Sequence, residues 1–301
     1  MRKERPIDPS TLRDLIDAEA TSGIDEIELI PIGEVNEVYE LRRKEGSSLV
    51  MRISRRGGDI LEHERWALDQ SREKGVPTPK TIAIRHAEID EEPVDITIQE
   101  KMEGVRLSQI ESDQDVLKNL GITIARIHEV QTEGFGWTSP EGRGIFNTWD
   151  EYLLKALSKK DSLLDIARRN SIDTAVIEDG LELIATNSNI YQGEARLVHR
   201  DLGPDHILVD EGVVSGVIDF ENCVGADPIY DLARWDLLYG DEYPIDQILV
   251  GYRERADLGE DFDKRMQVYK IHSGISVALY LDQTNEMHRL IPFMKDIFNI
   301  S

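Results

Sequence analysis

The 301 residues carry 59 acidic side chains against 35 basic ones, a formal charge of −24 at pH 7, and 40% of the chain is hydrophobic. This composition is typical of a folded globular protein, and the charge excludes a surface built to bind nucleic acid or anionic lipid, which needs clustered Lys and Arg. Only 12 Lys accompany 23 Arg, a balance that suits either a salt-rich cytoplasm or an ordinary acidic cytosolic protein.

Cysteine usage and hydropathy exclude further classes of protein. Cys223 is the only cysteine, which excludes an intramolecular disulfide and a cysteine-based zinc site. Four of the first six residues are charged, and the segment leads into no apolar signal core. No run approaches the roughly 18 apolar residues that a membrane helix requires. We therefore expect a soluble, cytoplasmic protein that does not bind a membrane.

The first hundred residues predict a lobe rich in strands. A helix is predicted to start at Asp8-Pro9-Ser10, where apolar residues begin to recur at helical spacing. Residues 59–74 return to helical periodicity. Runs of alternating and β-branched residues predict strands over 27–29, 35–41, 49–53, 81–85 and 95–101.

After Gly104 the periodicity becomes helical. Helices are predicted over 113–130, 147–169, 172–186, 229–239, 245–256 and 261–283, interrupted by one strand island at 197–220. The order indicates an α+β fold with a strand-rich lobe, residues 1–103, followed by a mainly helical lobe, residues 104–301.

Within the strand island, a hairpin brings chemically active side chains together. Asp210-Glu211-Gly212 is a tight turn between two apolar strands. Antiparallel pairing of those strands places His206 beside Asp219 at the open end, with Asp201 in the loop that leads into the hairpin. Hard ligands and a carboxylate aimed at an acceptor hydroxyl are what a Mg²⁺-nucleotide site needs.

Short motifs in this region identify a family. His199-Arg200-Asp201 and Asp219-Phe220 resemble the catalytic loop and the metal-binding motif of the protein-kinase-like fold. The continuation Gly225-Ala226-Asp227-Pro228, followed by Asp231-Leu232-Ala233, is similar to the aminoglycoside-phosphotransferase-like branch of small-molecule kinases. Likeness extends over most of residues 27–240. The resemblance implies a bilobal protein-kinase-like fold, with an antiparallel sheet lobe and a helical lobe, that moves the γ-phosphate of ATP or GTP to a small hydroxyl compound with Mg²⁺.

The resemblance also implies roles for three residues. Asp201 would be the catalytic base, and Asp219 would hold the Mg²⁺ that bridges the phosphates. His206 stands where the family more often has an Asn metal ligand, and macrolide kinases resemble this chain in that respect. His206 either ligates the metal or hydrogen-bonds Asp201 or a phosphate; a packing histidine is the structural alternative.

Five neighbouring residues are expected to support the site. His199 and Arg200 would brace the loop backbone, and Asp227 and Asp231 would cap a helix or anchor the catalytic loop. Glu221 replaces the Gly that follows Asp-Phe in protein kinases, and it either arranges metal or substrate or is simply a solvated acid.

In the first lobe the resemblance implies a nucleotide-binding role for six residues. Gly33 and Asn36 lie in the expected phosphate-covering loop, which is poor in glycine. Arg52 stands at the position of the kinase strand Lys and can grip phosphates bidentately, unless it is a solvent-facing residue of an edge strand. Glu64 is its expected ion-pair partner, with Glu62 as the competitor. Glu100 and Met102 bracket the hinge, where backbone groups contact the base and side chains do not distinguish ATP from GTP.

Two other functions compete with a small-molecule kinase. Only 12 positions separate Asp219 from Asp231, too few for the activation segment of a peptide kinase. A nucleotide-binding pseudokinase with a regulatory role is the alternative from another class. The acceptor is open among aminoglycosides, other amine-bearing alcohols, macrolides, choline, homoserine and sugars. An acidic pocket, which would favour a cationic acceptor, is suggested by the following residues: Asp150, Glu151, Asp236, Asp241 and Glu242.

Overall fold

A five-stranded antiparallel sheet dominates the first hundred residues, with strand order β1-β2-β3-β5-β4. The computed structural model describes residues 12, 16, 23–30, 36–55, 57–89, 91–111 and 113–298. The strands of this sheet are Ile24–Ile30 (β1), Glu37–Arg43 (β2), Leu49–Ser54 (β3), Thr81–Ile89 (β4) and Glu92–Glu100 (β5). Of the helix predicted from Asp8, only Leu12 and Ile16 lie within the described residues, and both are helical and buried. Gly33 lies outside the described residues.

Helices make up most of the remainder. They are Ile60–Glu73 (α1), Gln114–Ile127 (α2), Trp149–Leu154 (α3), Lys160–Arg169 (α4), Thr174–Thr186 (α5), Ile229–Tyr239 (α6), Ile245–Tyr252 (α7), Phe262–Gln283 (α8) and Met287–Ile297 (α9). The sheet lobe followed by a helical lobe confirms the predicted α+β, bilobal architecture. Among the described residues, no helix is both long enough and apolar enough to cross a membrane.

Several elements differ from their predicted bounds. The single helix predicted over 147–169 is broken by a 3₁₀ turn at Lys155–Lys159. Helix α9 was not predicted, because Pro292 interrupts its pattern. Short strands were also missed, since two to four residues are too few for periodicity to register. These strands are Val105–Arg106 (β6), Phe135–Thr138 (β7), Gly144–Phe146 (β8) and Val224–Ala226 (β12).

Two apolar cores hold the lobes. One lies against the sheet and is formed by side chains from its strands together with Leu12 and Ile16. The other fills the helical lobe and includes Ala67 and Leu68 of α1. Helix α1 therefore follows the sheet lobe in sequence but packs its apolar face into the core of the helical lobe, so that it links the two.

The strand island folds as the sequence predicts, with breaks. It comprises Arg196–Val198 (β9), Ile207–Asp210 (β10) and Val213–Val217 (β11). Strands β10 and β11 pair antiparallel, with Ile207 opposite Val217. This register brings the residues that precede β10 next to those that follow β11, at the edge of the cleft between the lobes.

Candidate active site

A cleft of about 690 Å³ lies between the two lobes. Its apolar walls come from both sides, with Val38 and Val50 of the sheet facing Leu208 and Ile218 of the hairpin. Its inner end is polar and is lined by Asn36, Arg52, Asp201, His206, Asp219, Glu221 and Asn222. A flat apolar slot with a charged end suits a nucleotide, whose base is planar and whose phosphates are anionic.

Arg52, on β3, lies among three carboxylates at this inner end. Its Nη1 donates to Glu64 Oε1 at 2.7 Å, and its Nη2 donates to Glu221 Oε2 at 2.6 Å and to Asp219 Oδ1 at 3.2 Å. Strand β3 is interior to the sheet, and the Arg52 side chain is only 12% exposed. The alternative of a solvent-facing arginine on an edge strand is therefore wrong.

The cluster carries excess negative charge. Burial raises the pKa of Glu64 to about 7, with the carboxylates of Asp219 and Glu221 adding to the effect and Arg52 opposing it. Burial by itself would lower the pKa of Arg52, but the three carboxylates outweigh it and raise the pKa above its ordinary value. One guanidinium facing three carboxylates favours the arrival of a further cation at the end of the cleft.

The contacts of Glu62 and Glu221 decide between the alternatives that the sequence left open for these two residues. Glu62 contacts His86 Nε2 at 3.2 Å rather than Arg52, so Glu64 is the ion-pair partner. Glu221 is 7% exposed and also accepts from Asn36 Nδ2 at 3.2 Å. A solvated role for Glu221 is therefore wrong, and its carboxylate joins the sheet lobe to the hairpin.

His206 and Asp219 meet at the open end of the hairpin. The His206 Nδ1–H donates to the backbone carbonyl of Asp201 at 2.7 Å, which leaves Nε2 as the ring nitrogen with a lone pair in the neutral imidazole. That Nε2 lies 3.4 Å from Asp219 Oδ2. Asp219 itself is in the left-handed region at φ 70°, a conformation that aims its carboxylate back into the cleft.

The donor set at this point fits a metal that arrives with phosphate. Mg²⁺ is commonly held by one or two protein carboxylates, with phosphate oxygens and water completing its octahedron. Among the described residues, no group of three or more His, Cys, Asp and Glu side chains could hold a metal ion. The Asp219 carboxylate and the His206 Nε2 thus suit an ion shared with a nucleotide better than a permanently bound one.

Asp201 lies where the cleft opens into a second pocket, since it lines both. Its Oδ2 accepts from Asn222 Nδ2 at 3.4 Å, and its Oδ1 accepts from Arg234 Nη2 at 3.3 Å. Both contacts are long, and the side chain is 38% exposed. The carboxylate therefore has room to accept a hydroxyl proton from a third group.

Asp231, on α6, anchors the loop that carries Asp201. Its buried carboxylate accepts from the backbone N–H of His199 at 2.8 Å and of Arg200 at 2.7 Å. Burial would raise the pKa of Asp231, but the hydrogen bond from His128 and the neighbouring donors outweigh it and lower the pKa. The two backbone bonds hold Arg200 at φ 65°, a left-handed conformation that costs a non-glycine residue about 1–2 kcal/mol.

His199 and Asp227 have structural contacts. His199 donates through Nε2 to the carbonyl of Ile218 at 3.0 Å, and its Nδ1 accepts from the Asp201 N–H at 3.3 Å. Burial lowers the pKa of His199, and its ring ties the loop to the residue that follows β11. Asp227 lies just before α6, whose N-cap is Pro228, and accepts from the Ile229 N–H at 3.0 Å.

The segment that joins the two lobes runs through Glu100, Lys101 and Met102. The Glu100 N–H donates to the Lys80 carbonyl at 2.9 Å, and the Lys101 N–H donates to the Ser48 carbonyl at 3.1 Å. Both amides therefore already donate to backbone carbonyls of the sheet lobe, and the Glu100 side chain is exposed. Met102, the next residue along the chain, lines the cleft.

The second pocket has a volume of about 510 Å³ and lies between α6 and α8. None of the five acids that suggested an acidic pocket lines it among the described residues. Asp236 instead pairs with Lys270 at 2.5 Å, and Glu151 accepts from the Asn147 N–H at 3.0 Å. The pocket is lined by Arg200, Arg234 and Arg289, so it is not the acidic pocket that the sequence suggested.

Sequence reasoning missed three residues of the site. Arg234 contacts Asp201, and a signal was available because it lies one helical turn after Asp231 on α6. Asn222 follows Asp219 by three positions, within the same turn. His128 bonds Asp231 from 103 positions away, and nothing local in the sequence indicates that contact.

Comparisons with known proteins agree with this geometry. A hygromycin-B 4-O-kinase of Escherichia coli is 26% identical over 104 residues, which cover 35% of this chain and 30% of that protein. An uncharacterized protein, YcbJ, of Bacillus subtilis (strain 168) is 29% identical over 83 residues, 27% of each chain. The matched segments thus span less than a third of either relative.

A solved structure shares the fold over almost the whole chain. It is a thermostable mutant of aminoglycoside phosphotransferase APH(4)-Ia, in a ternary complex with AMP-PNP and hygromycin B. It has a TM-score of 0.77 and 18% identity, and the match covers 97% of this chain and 98% of that one. Residues 26–265 match the phosphotransferase enzyme family, APH, and because this match includes both the cleft and the catalytic loop, the chain belongs to that family.

Proposed function

We propose that this protein is a small-molecule kinase that transfers the γ-phosphate of ATP or GTP to a hydroxyl group of a small acceptor, with Mg²⁺. The observation that carries the proposal is the position of Asp201, which lines both the interlobe cleft and the pocket between α6 and α8. A donor in the cleft and an acceptor in the pocket would meet at its carboxylate.

Each lobe has a distinct task in this proposal. Residues 1–103 bind the nucleotide, with Arg52 on the phosphates and the Met102 backbone on the base. Residues 104–301 supply the catalytic loop and the acceptor pocket. Asp219 and His206 would hold a Mg²⁺ ion, which would supply charge neutralisation to the phosphates.

The chemistry proposed for Asp201 is proton acceptance and orientation. The Asp201 carboxylate accepts a hydrogen bond from the hydroxyl group of the small molecule. This bond orients the hydroxyl oxygen toward the γ-phosphorus. As the new O–P bond forms, the bond from the γ-phosphorus to the bridging oxygen breaks, and the hydroxyl proton passes to Asp201. Arg52 would exchange Asp219 and Glu221 for phosphate oxygens when a nucleotide binds, and a Mg²⁺ ion held by Asp219 and His206 would supply the charge that compensates Asp219.

The proposal is tested with Asp201→Asn. The variant should fold like the parent and bind Mg²⁺-nucleotide with similar affinity, yet its kcat should fall by at least about 10²-fold, the usual contribution of a general base. The measurement is acceptor-stimulated release of nucleoside diphosphate across a panel of hydroxyl compounds, with nucleotide affinity measured separately by calorimetry. Near-parental turnover by the variant would refute the role, and absence of Mg²⁺-dependent turnover in the parent would favour a pseudokinase.

A further inference from the structure

The pocket between α6 and α8 has the opposite charge to the rest of the molecule. Three guanidinium groups line it, those of Arg200, Arg234 and Arg289, and the one carboxylate lining it among the described residues is that of Asp201. The chain as a whole carries 59 acidic side chains against 35 basic ones. An excess of basic side chains in one pocket of so acidic a protein indicates that the pocket binds a ligand, because random placement of the charged residues would put mostly acidic side chains here.

The guanidinium groups are only partly neutralised by the protein. Arg234 donates from Nη1 to Ser273 Oγ at 2.9 Å and reaches Asp201 only at 3.3 Å. Its Nε is buried without a hydrogen-bond partner. The Arg234 side chain is 16% exposed, so its charge is poorly screened by water and interacts strongly with an anion in the pocket.

The other two arginines add to this positive charge. Arg200 lies beside Tyr152 and Tyr230, with Asp201 as its neighbouring carboxylate. Arg289 sits at the mouth, with its side chain 63% exposed, and pairs with Glu286 at 2.7 Å. Since an exposed pair of this kind is weak, Arg289 can exchange Glu286 for a ligand at little cost.

The nucleotide cleft has the reverse arrangement, which separates the two sites chemically. Arg52, Lys101 and Arg106 line that cleft, but at its inner end the Arg52 guanidinium faces three carboxylates, and the excess negative charge there suits a metal. Arg234 and Arg289 line the pocket and not the cleft. Their charge is therefore placed for the acceptor side of the reaction rather than for the nucleotide phosphates.

We propose that the acceptor is a small hydroxyl compound bearing an anionic oxygen group, a carboxylate or a phosphate ester, which Arg234 and Arg289 bind while its hydroxyl faces Asp201. This inference rests on the proposed kinase function. The planar guanidinium fork matches either anion bidentately. Leu238, Val277 and Leu281 supply an apolar wall for the carbon skeleton, and about 510 Å³ accommodates a small molecule.

The test compares matched acceptors on the full chain. Hydroxy acids are paired with their own amides, sugar phosphates with the free sugars, and aminoglycosides serve as cationic acceptors. Acceptor-stimulated release of nucleoside diphosphate should give a kcat/KM at least about tenfold higher for the anion than for its neutral partner, as expected for a charge-assisted hydrogen bond. The two anionic series distinguish a carboxylate from a phosphate ester. A preference for neutral or cationic acceptors would overturn the inference.

Variants then connect the preference to the pocket. Arg289→Gln should raise the KM of the anionic acceptor about threefold or more with kcat little changed, and leave the neutral partner unaffected. Arg234→Gln should lower kcat/KM for the anion further. Arg168→Gln, at an exposed arginine of α4 outside the pocket, is the matched control and should change nothing. Equal anion preference in all three variants would overturn the assignment of the anion to these arginines.

Nucleotide binding separates failure of this inference from failure of the proposed function. If Mg²⁺-nucleotide binds and turns over with neutral acceptors only, the anionic acceptor is wrong and the kinase function stands. If the parent neither binds Mg²⁺-nucleotide nor turns it over with any acceptor, the kinase function falls and this inference falls with it.

Discussion

At the scale of single residues, His206 is the nitrogen donor of the metal site that we propose. Its Nδ1–H is used by the Asp201 carbonyl, so Nε2 is the atom that faces Asp219. An imidazole nitrogen binds Mg²⁺ less well than an amide oxygen does. We therefore expect the protein to need more Mg²⁺ than an otherwise identical site with Asn.

Substitution at His206 tests that expectation. His206→Asn should keep or raise activity and lower the Mg²⁺ concentration needed for half-maximal turnover, because an amide oxygen replaces the imidazole. His206→Ala should raise that concentration by at least about tenfold, the lower range for losing a group at a metal site. The measurement is nucleotide turnover titrated with Mg²⁺. Unchanged Mg²⁺ dependence in both variants would show that His206 is not a ligand.

His63 is a second residue whose environment has a measurable consequence. It is fully buried on α1, stacks on Trp137 with ring centroids 4.2 Å apart, and contacts Thr138 Oγ1 at 3.0 Å and Cys223 Sγ at 3.1 Å. Burial lowers its pKa to about 4. Since Glu64 is the next residue, the same contacts hold the partner of Arg52 in place.

The depressed pKa of His63 predicts loss of stability in acid. The unfolded chain takes up a proton near the ordinary pKa of about 6.5, whereas the folded chain resists protonation down to about 4. Stability should therefore be complete above that ordinary value and decline as the pH falls toward 4, by about 3 kcal/mol from this group. Chemical unfolding at several pH values should show a shallower decline for His63→Gln. His288→Gln, at an exposed position, is the control and should keep the parental slope; equal slopes for the two variants would contradict the prediction.

At the scale of elements, the catalytic loop depends on α6. Arg200 at φ 65° and Asp219 at φ 70° are both in the left-handed region, and neither is glycine. The buried Asp231 carboxylate holds Arg200 by accepting from the N–H groups of His199 and Arg200, and the His199 ring donates to the carbonyl of Ile218, the residue before Asp219. The backbone of the site is thus locally strained, and hydrogen bonds to neighbouring elements compensate the free-energy cost of that strain.

Helices α2 and α7 pack more closely than ordinary side chains permit. A Cβ on Gly121 would lie 1.9 Å from the Ile248 carbonyl oxygen, and one on Gly251 would lie 1.8 Å from the Lys118 carbonyl oxygen. Both glycines are thus required by backbone contact, although Gly is unfavourable within a helix by about 1 kcal/mol relative to Ala. This contact supports the segment that ends at His128.

Substitution of Gly121 tests the close contact. Gly121→Ala should destabilise the protein by about 1–3 kcal/mol despite the better helix propensity of Ala, because the obstructing atoms are backbone. Gly180→Ala on α5 is a matched control, since a Cβ there meets the Phe298 ring, a side chain that can shift. Denaturant unfolding should rank Gly121→Ala clearly below Gly180→Ala. The reverse order would contradict the packing argument.

At the scale of the whole molecule, the charge of −24 is a source of self-repulsion. The Debye length falls from about 10 Å at 0.1 M salt to about 3 Å at 1 M, so added salt screens that repulsion. If this protein is adapted to a salt-rich cytoplasm, its folded state should be most stable there.

Thermal unfolding in increasing sodium chloride measures that adaptation. We expect the Tm to rise by about 3 °C or more between 0.1 and 1 M, corresponding to about 1 kcal/mol in a protein of this size. A triple variant, Glu111→Gln, Asp179→Asn and Glu260→Gln, removes three exposed negative charges and should show a smaller rise. A Tm that falls with salt, or an equal rise in the variant, would exclude relief of self-repulsion.

The order of elements and the local motifs were readable from the sequence because both are local. Periodicity identified the five strands of the sheet and most helices, and the tight turn at 210–212 was enough to predict that His206 and Asp219 meet. The motifs around Asp201 and Asp219 identified the family to which the chain belongs. Short strands and the break at Lys155–Lys159 escaped because they contain too few residues to establish a period.

Only the tertiary structure decided which charges face which site. The acidic composition suggested that acidic side chains would surround the acceptor. In the folded chain Asp236 pairs with Lys270 instead. Arg289 reaches the pocket from α9, a helix that the sequence did not predict. The burial of Glu221 and the contact of His128 with Asp231 likewise depend on residues far apart in the chain. The physical reason is that electrostatic fields and burial act through space, whereas sequence patterns report only the neighbours along the chain.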